Sequence, residues 1–246
     1  MSQNPFAVAA EQTKQLTSTV RQPGPPPSNV YAGTITAAFL SKSVWDPKNV
    51  DLTMHIELDS GYEYKLTKTV LEDGKPTGVN NRTKKVELLY GYQIMSHIIG
   101  AALPGKTMAD LMPSVKPTQI KLYDFDEKKE KLTEVKMVTD LVGTKLVIGL
   151  QRKTTNKKTK NDEGMWVPTA ERKQELVFGV AGSATDRRTH TEFNANAETA
   201  EEVDKWLKLN QNVDWDAYVE VKGAAGSTDT PVPAPTQDSI NFDDLV

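Results

Sequence analysis

The chain has 246 residues, 30 Lys+Arg against 33 Asp+Glu, three His and no Cys, which allows one good-sized core and excludes disulfide frameworks, thiolate metal sites and cysteine nucleophiles. Four of the acidic residues (Asp229, Asp238, Asp243, Asp244) follow Gly223 with no cation among them, so the body holds 30 basic against 29 acidic residues. A near-neutral body predicts nucleic-acid binding only where its cations cluster locally, and the lack of cysteine suits a reducing cytoplasm.

Residues 1–28 are polar and close on Pro23-Gly-Pro-Pro-Pro27, which excludes a helix or a central strand there. They read as a flexible N-terminal arm. Met1 to Phe6 has neither a basic start nor an apolar core, so a secretory signal is not expected. The longest apolar stretch, around Ile98 to Leu103, is too short to span a bilayer.

The body, 29–222, opens with a β-rich run from Val30 to Ser41. In the next segment Val50, Leu52, Met54, Ile56 and Leu58 alternate with Asp51, Thr53, His55, Glu57 and Asp59. Strict period two predicts a half-buried strand. Asp59-Ser-Gly61 turns it into a partner strand over 62–71. After a loop ending in Arg82-Thr-Lys84-Lys85, apolar residues recur at three and four from Val86 to Leu103. That predicts a helix stopped by Pro104-Gly105. A short helix is expected at 107–112. A second hairpin is expected from 119–125 and 132–138, with strands following at 144–152 and 174–181. Thr189 to Ala195 reads as an edge strand. Thr199-Ala-Glu-Glu202 reads as a capping box that launches a helix to about Leu209.

Three strands, a helix and further strands is the order of a five-stranded OB-fold-like barrel. In that assignment 107–139 is an insertion with an added hairpin, and helices flank a mainly β domain. A mixed α+β sheet has a similar order.

The densest cation cluster is Arg152, Lys153, Lys157, Lys158 and Lys160, with no acid between 151 and 161. It reads as a loop between two strands. Lysines and arginines so placed can follow a phosphate backbone, because each neutralised phosphate releases a counterion. Trp166, Arg172 and Lys173 lie just beyond, and an aromatic ring beside cations suits base stacking on a single strand. A solvated hairpin loop with a partly buried Trp is the alternative.

A second cluster joins Tyr62, Tyr64, Lys65 and Lys68 to Arg82, Lys84 and Lys85. The two tyrosines are either a stacking platform or the inward continuation of the hairpin's apolar face. Trp45, in the loop before strand two, either stacks on a base or caps the barrel. No catalytic or metal-binding pattern emerges. His55, His97 and His190 are isolated, and the His-x-Glu, HExxH, Gly-x-x-x-x-Gly-Lys-Ser/Thr and Gly-x-Ser-x-Gly spacings are missing. Asp124-Phe-Asp126, flanked by Lys121, Lys128 and Lys129, reads as a solvated turn rather than a two-metal site. No cofactor is expected.

From Gly223 to Gln237 the chain is a Gly/Ala/Ser/Thr/Pro linker, followed by Asp238-Ser-Ile240-Asn-Phe242-Asp243-Asp244-Leu245-Val246. Such a linker does not bury enough apolar surface to fold alone. Its tip pairs carboxylates with apolar anchors, which suits a basic-rimmed apolar pocket on another protein.

This combination resembles the single-stranded DNA-binding proteins of bacteriophages and bacteria. There an OB-fold core with basic and aromatic residues precedes a flexible linker and an acidic tip containing Phe. The resemblance covers architecture over most of the chain and is carried by Asp238, Phe242, Asp243 and Asp244. It departs at the end, since bacterial tips close on Pro-Phe and some phage tips on Phe, whereas this one closes on Leu245-Val246. The resemblance implies a non-enzymatic protein that coats exposed strands in replication, recombination and repair, in a host cytoplasm if phage-encoded. Its tail would recruit a polymerase, helicase or primase and compete with DNA for the basic groove. Homo-oligomers occur within this reading. The rival readings are a virion or scaffold component and a strand-annealing protein.

Overall fold

The computed structural model describes residues 24–80, 82–124, 127–161 and 163–221. The linker and acidic tip, most of the N-terminal arm and Asp126 lie outside the described residues.

The fold is mainly β. Strands β1 (Asn29–Lys42), β2 (Val50–Leu58) and β3 (Glu63–Leu71) form an antiparallel meander. The period-two reading of β2 holds: Leu52, Met54, Ile56 and Leu58 are buried, while Glu57 faces out. Strands β4 (Thr77–Val79) and β5 (Val86–Leu88) make a separate two-stranded sheet. Helix α1 (Tyr90–Ala102) therefore starts at Tyr90, not at Val86. The Leu89 N–H is taken by the Pro76 carbonyl, which ends the small sheet and lets the helix begin. α1 lays Met95, Ile98 and Ile99 on the sheet. Gly91 admits this approach, since a Cβ there would stand 2.2 Å from the Thr69 carbonyl oxygen.

Helix α2 (Met108–Leu111) leads into the hairpin β6 (Val115–Asp124) and β7 (Lys129–Val138), the expected second hairpin at greater length. It is not a detached insertion. β7 pairs with β1 at Phe39 and Leu40, beside the stretch where β1 pairs with β8. The strands β8 (Lys145–Lys160) and β9 (Trp166–Ser183) form the longest hairpin. Helices α3 (His190–Asn194) and α4 (Glu202–Asn210) follow, then the two-residue strand β10 (Trp215–Asp216), parallel to β8.

The main path of the sheet is β3-β2-β1-β8, with β9 on the far side of β8. It does not close into the expected barrel, because β3 and β9 are not paired among the described residues. Three further expectations are corrected. Residues 152–160 are strand rather than loop, since the ladder with β9 runs to Lys160↔Trp166 and the turn is confined to Asn161–Met165. Thr189 to Ala195 holds helix α3 rather than an edge strand, because Thr189 and Glu192 form a capping box. Thr199 does not cap α4. The Glu192 carboxylate accepts the N–H groups of Glu201 and Glu202 at 2.6 and 2.9 Å and does so in its place.

Among the described residues, no helix is long and apolar enough to cross a membrane.

Candidate nucleic-acid interface

The β8–β9 hairpin is buried at its base and exposed at its end. Leu146, Ile148 and Leu150 lie in the core, whereas Lys157 to Lys160 and Trp166 are open. Gly149 and Gly179 hold the base against α4: a Cβ on either would meet the Trp206 ring at 2.8 and 2.3 Å. Beyond that clamp the two strands continue as a two-sided ribbon. Paired residues share a face, so Lys153, Glu175, Thr155 and Lys173 stand on one side and Arg152, Asn156, Gln174 and Arg172 on the other.

The first side borders a cleft of about 690 Å³ lined by Lys153, Lys157, Lys158 and Lys173, with Thr155 and Glu175 among its polar walls. Three of the predicted phosphate-binding residues, Lys153, Lys157 and Lys158, are thus brought together with Lys173, also a DNA-binding candidate. Their charges are partly balanced. Lys157 pairs with Glu171 at 2.6 Å and Lys173 with Glu175 at 3.0 Å. The Lys157 ammonium, by hydrogen bond and by charge, holds the Glu171 carboxyl below its usual range. Lys158 makes no ion pair among the described residues. At the end of the ribbon the Lys160 ammonium lies 5.5 Å from the Trp166 ring, which is 60% exposed. The alternative of a partly buried Trp does not hold.

On the other side Arg152 reaches Asp214 through Nε at 2.8 Å, and Arg172 reaches Asp216 at 3.6 Å. The Arg172 guanidinium sits 4.4 Å from the Tyr218 ring. Back on the first side, the Lys153 ammonium lies 3.7 Å from the ring of Trp215, its partner in β10. Trp215 and Tyr218 were not among the residues singled out from the sequence, and neither were Asp214 and Asp216. The signal was present in the alternation of acid and ring in Asp214-Trp-Asp216-Ala-Tyr218.

A second, smaller cleft of about 410 Å³ fills the open seam. Tyr62, Tyr64 and Lys65 line one wall, and Lys173, Gln174 and Leu176 the other. Tyr64 is only 4% exposed and belongs to the core, so its ring is not a platform. Burial, with Tyr62 and Tyr90 nearby, pushes its hydroxyl well above the usual phenol range. Tyr62 is partly buried against the same core. The outer face of β2–β3 carries hydrogen-bonded polar pairs instead of aromatics: Thr69 with Asp51, Thr53 with Thr67, and His55 with Glu63, which also reaches Lys65 at 3.3 Å.

The remaining candidates are dispersed. Lys68 lies 5.7 Å from the Tyr90 ring at the start of α1. Arg82, Lys84 and Lys85 are exposed at the turn between β4 and β5, where Asn80 Oδ1 accepts the N–H groups of Arg82 and Thr83. Trp45 is 88% exposed between β1 and β2, so it caps nothing among the described residues. The tip residues Asp238, Ile240, Phe242, Asp243, Asp244, Leu245 and Val246 lie outside the described residues. Among the described residues no group of three or more His, Asp or Glu is placed to hold a metal ion.

Neither a family model nor a curated protein matches the chain, so the functional reading rests on this geometry.

Proposed function

We propose that the chain binds single-stranded DNA with little sequence preference, chiefly along the β8–β9 ribbon. The observation that carries this reading is the 690 Å³ cleft with Lys153, Lys157, Lys158 and Lys173 around it, beside the exposed Trp166 and its Lys160. Lysines spaced along a groove hold a phosphate backbone without reading sequence, and an exposed ring stacks on any base. A duplex offers no free base face to such a ring, so the single strand is the better substrate.

The strand path supports the finer reading as an OB-like barrel opened at one seam. β1, β2, β3, β8 and β9 are its five strands, and α1 lies between the third and fourth in sequence. In barrels of that kind the nucleic acid is gripped by the loops after the first and fourth strands. Here those are the loop with Trp45 and the end of the β8–β9 hairpin. Both positions present an exposed tryptophan.

The acidic tip completes the proposal. Ile240, Phe242 and Leu245 among aspartates suit docking on a replication partner such as a polymerase, helicase or primase. The protein acts by coating and handing over strands in replication, recombination and repair rather than by catalysis.

Anisotropy of a labelled oligo-dT tests the reading. Binding in low salt is expected for the full chain and for a chain ending at Val221. Failure of both to bind, with large assemblies formed in the absence of DNA, contradicts it and favours a scaffold role.

A further inference from the structure

The segment after α4 occupies part of the surface just described. It is anchored first. The Asn212 N–H donates to the Ser28 carbonyl at 2.8 Å, and the fully buried Ser28 hydroxyl donates to Asp214 at 3.1 Å while accepting the Arg152 N–H at 2.9 Å. Beyond this anchor the chain runs parallel to β8 toward the end of the ribbon, pairing Trp215 with Lys153 and Asp216 with Thr154. Ala217 donates its N–H to the Thr154 carbonyl. The Asn156 amide brackets Val219, accepting its N–H at 2.9 Å and donating to its carbonyl at 2.8 Å.

The chemistry of residues 215–218 matches what a single strand would bring. The Trp215 ring lies under the Lys153 ammonium and the Tyr218 ring under the Arg172 guanidinium, where bases would stack. The Asp216 carboxylate faces Arg172, where a phosphate would sit. Ala217 forms part of the wall of the lysine-lined cleft.

The hold is weak where it must be. The Asp216 and Arg172 side chains are both more than half exposed, and Val219 is open to solvent. Exposed pairs and ring contacts of this sort each shift an equilibrium by no more than about five-fold. Few buried contacts and exposed backbone bonds characterise segments that open locally.

We propose that residues 215–219 are a releasable strap, an internal substitute for a short stretch of single strand, which DNA displaces from Lys153 and Arg172. The inference rests on the single-stranded DNA reading and adds an autoinhibitory contact to it. The strap is distinct from the acidic tip, since its aromatic and acidic groups are already seated on the ribbon.

Two measurements on the full chain decide it. The double variant Asp216→Asn/Tyr218→Ala keeps the Asp214 anchor and every cation. Its affinity for oligo-dT in low salt should rise about three- to five-fold. In the unaltered protein, saturating oligo-dT should speed hydrogen exchange at the Ala217 and Val219 amides. Weakened binding by the variant, with those amides gaining protection, would make Trp215 and Tyr218 a stacking platform and overturn the strap. Unchanged affinity or unchanged exchange overturns it as well. If the unaltered protein does not bind oligo-dT at all, the DNA reading falls first and the strap with it.

Discussion

Tyr64 and Trp166 are both aromatic residues with lysines nearby, and burial separates their roles. Tyr64, on β3, belongs to the buried core at 4% exposure. Truncating a buried ring removes its transfer free energy and leaves a cavity. Tyr64→Ala should therefore cost roughly 3–5 kcal/mol in denaturant unfolding. Trp166 is 60% exposed with Lys160 beside it. Trp166→Ala should move stability by less than about 0.5 kcal/mol and weaken oligo-dT binding by about 1–3 kcal/mol. The reverse pattern, a stable Tyr64→Ala with impaired binding, would put the platform on β3.

At the scale of elements, helix α3 carries a pH dependence. His190 Nδ1 is buried without a hydrogen-bond partner, against Gly100 of α1, where a Cβ would stand 1.9 Å from it. The Asn194 amide nitrogen donates to His190 Nε2 at 3.0 Å, so a neutral ring keeps that acceptor, whereas a protonated ring would set two donors against each other there. Burial accordingly lowers the His190 pKa below its ordinary 6.5. His55 is lowered too, by burial and by Lys65, against the opposing pull of Glu63. The unfolded chain then binds more protons than the folded one just below pH 6.5. The contribution of these groups is full above that pH and is lost as pH falls toward the folded pKa. Unfolding followed from pH 7 to pH 5 should show falling stability, and His190→Gln should flatten part of that fall. A slope unchanged by the substitution would remove His190 from the account.

The elements also show what was readable beforehand. β2 declared itself because one face is buried and the other solvated, so hydropathy tracks the pleat. The meander, the body of α1 and the β6–β7 hairpin were readable from similar patterns, and β8 and β9 only over their apolar stretches at 145–152 and 174–181. The 152–160 segment misled because cross-strand pairing supplies its stability. Thr154, Thr155 and Thr159 suit a strand, but the charges around them masked it. The cap of α4 came from Glu192, nine residues upstream of Glu201, which no local motif records. The site was legible as a cluster of cations. Its acidic partners were not, because Glu171 and Asp214 meet Lys157 and Arg152 only through the fold.

For the whole molecule, a nearly neutral charge conceals an uneven distribution. The ribbon gathers lysines at one end of an otherwise balanced body, and the acids of the strap and the C-terminal tip are placed within the same chain. Such a protein should attract DNA through local rather than net charge, with binding set by salt. The most direct measurement is the slope of log affinity for oligo-dT against log salt. It is to be compared between the full chain and the variant Lys157→Gln/Lys158→Gln/Lys173→Gln. Each phosphate contact on a single strand contributes about −0.7 to that slope. The account predicts a steep slope for the parent and one shallower by about 2 for the variant. Equal slopes, or no binding by the parent in low salt, would contradict it.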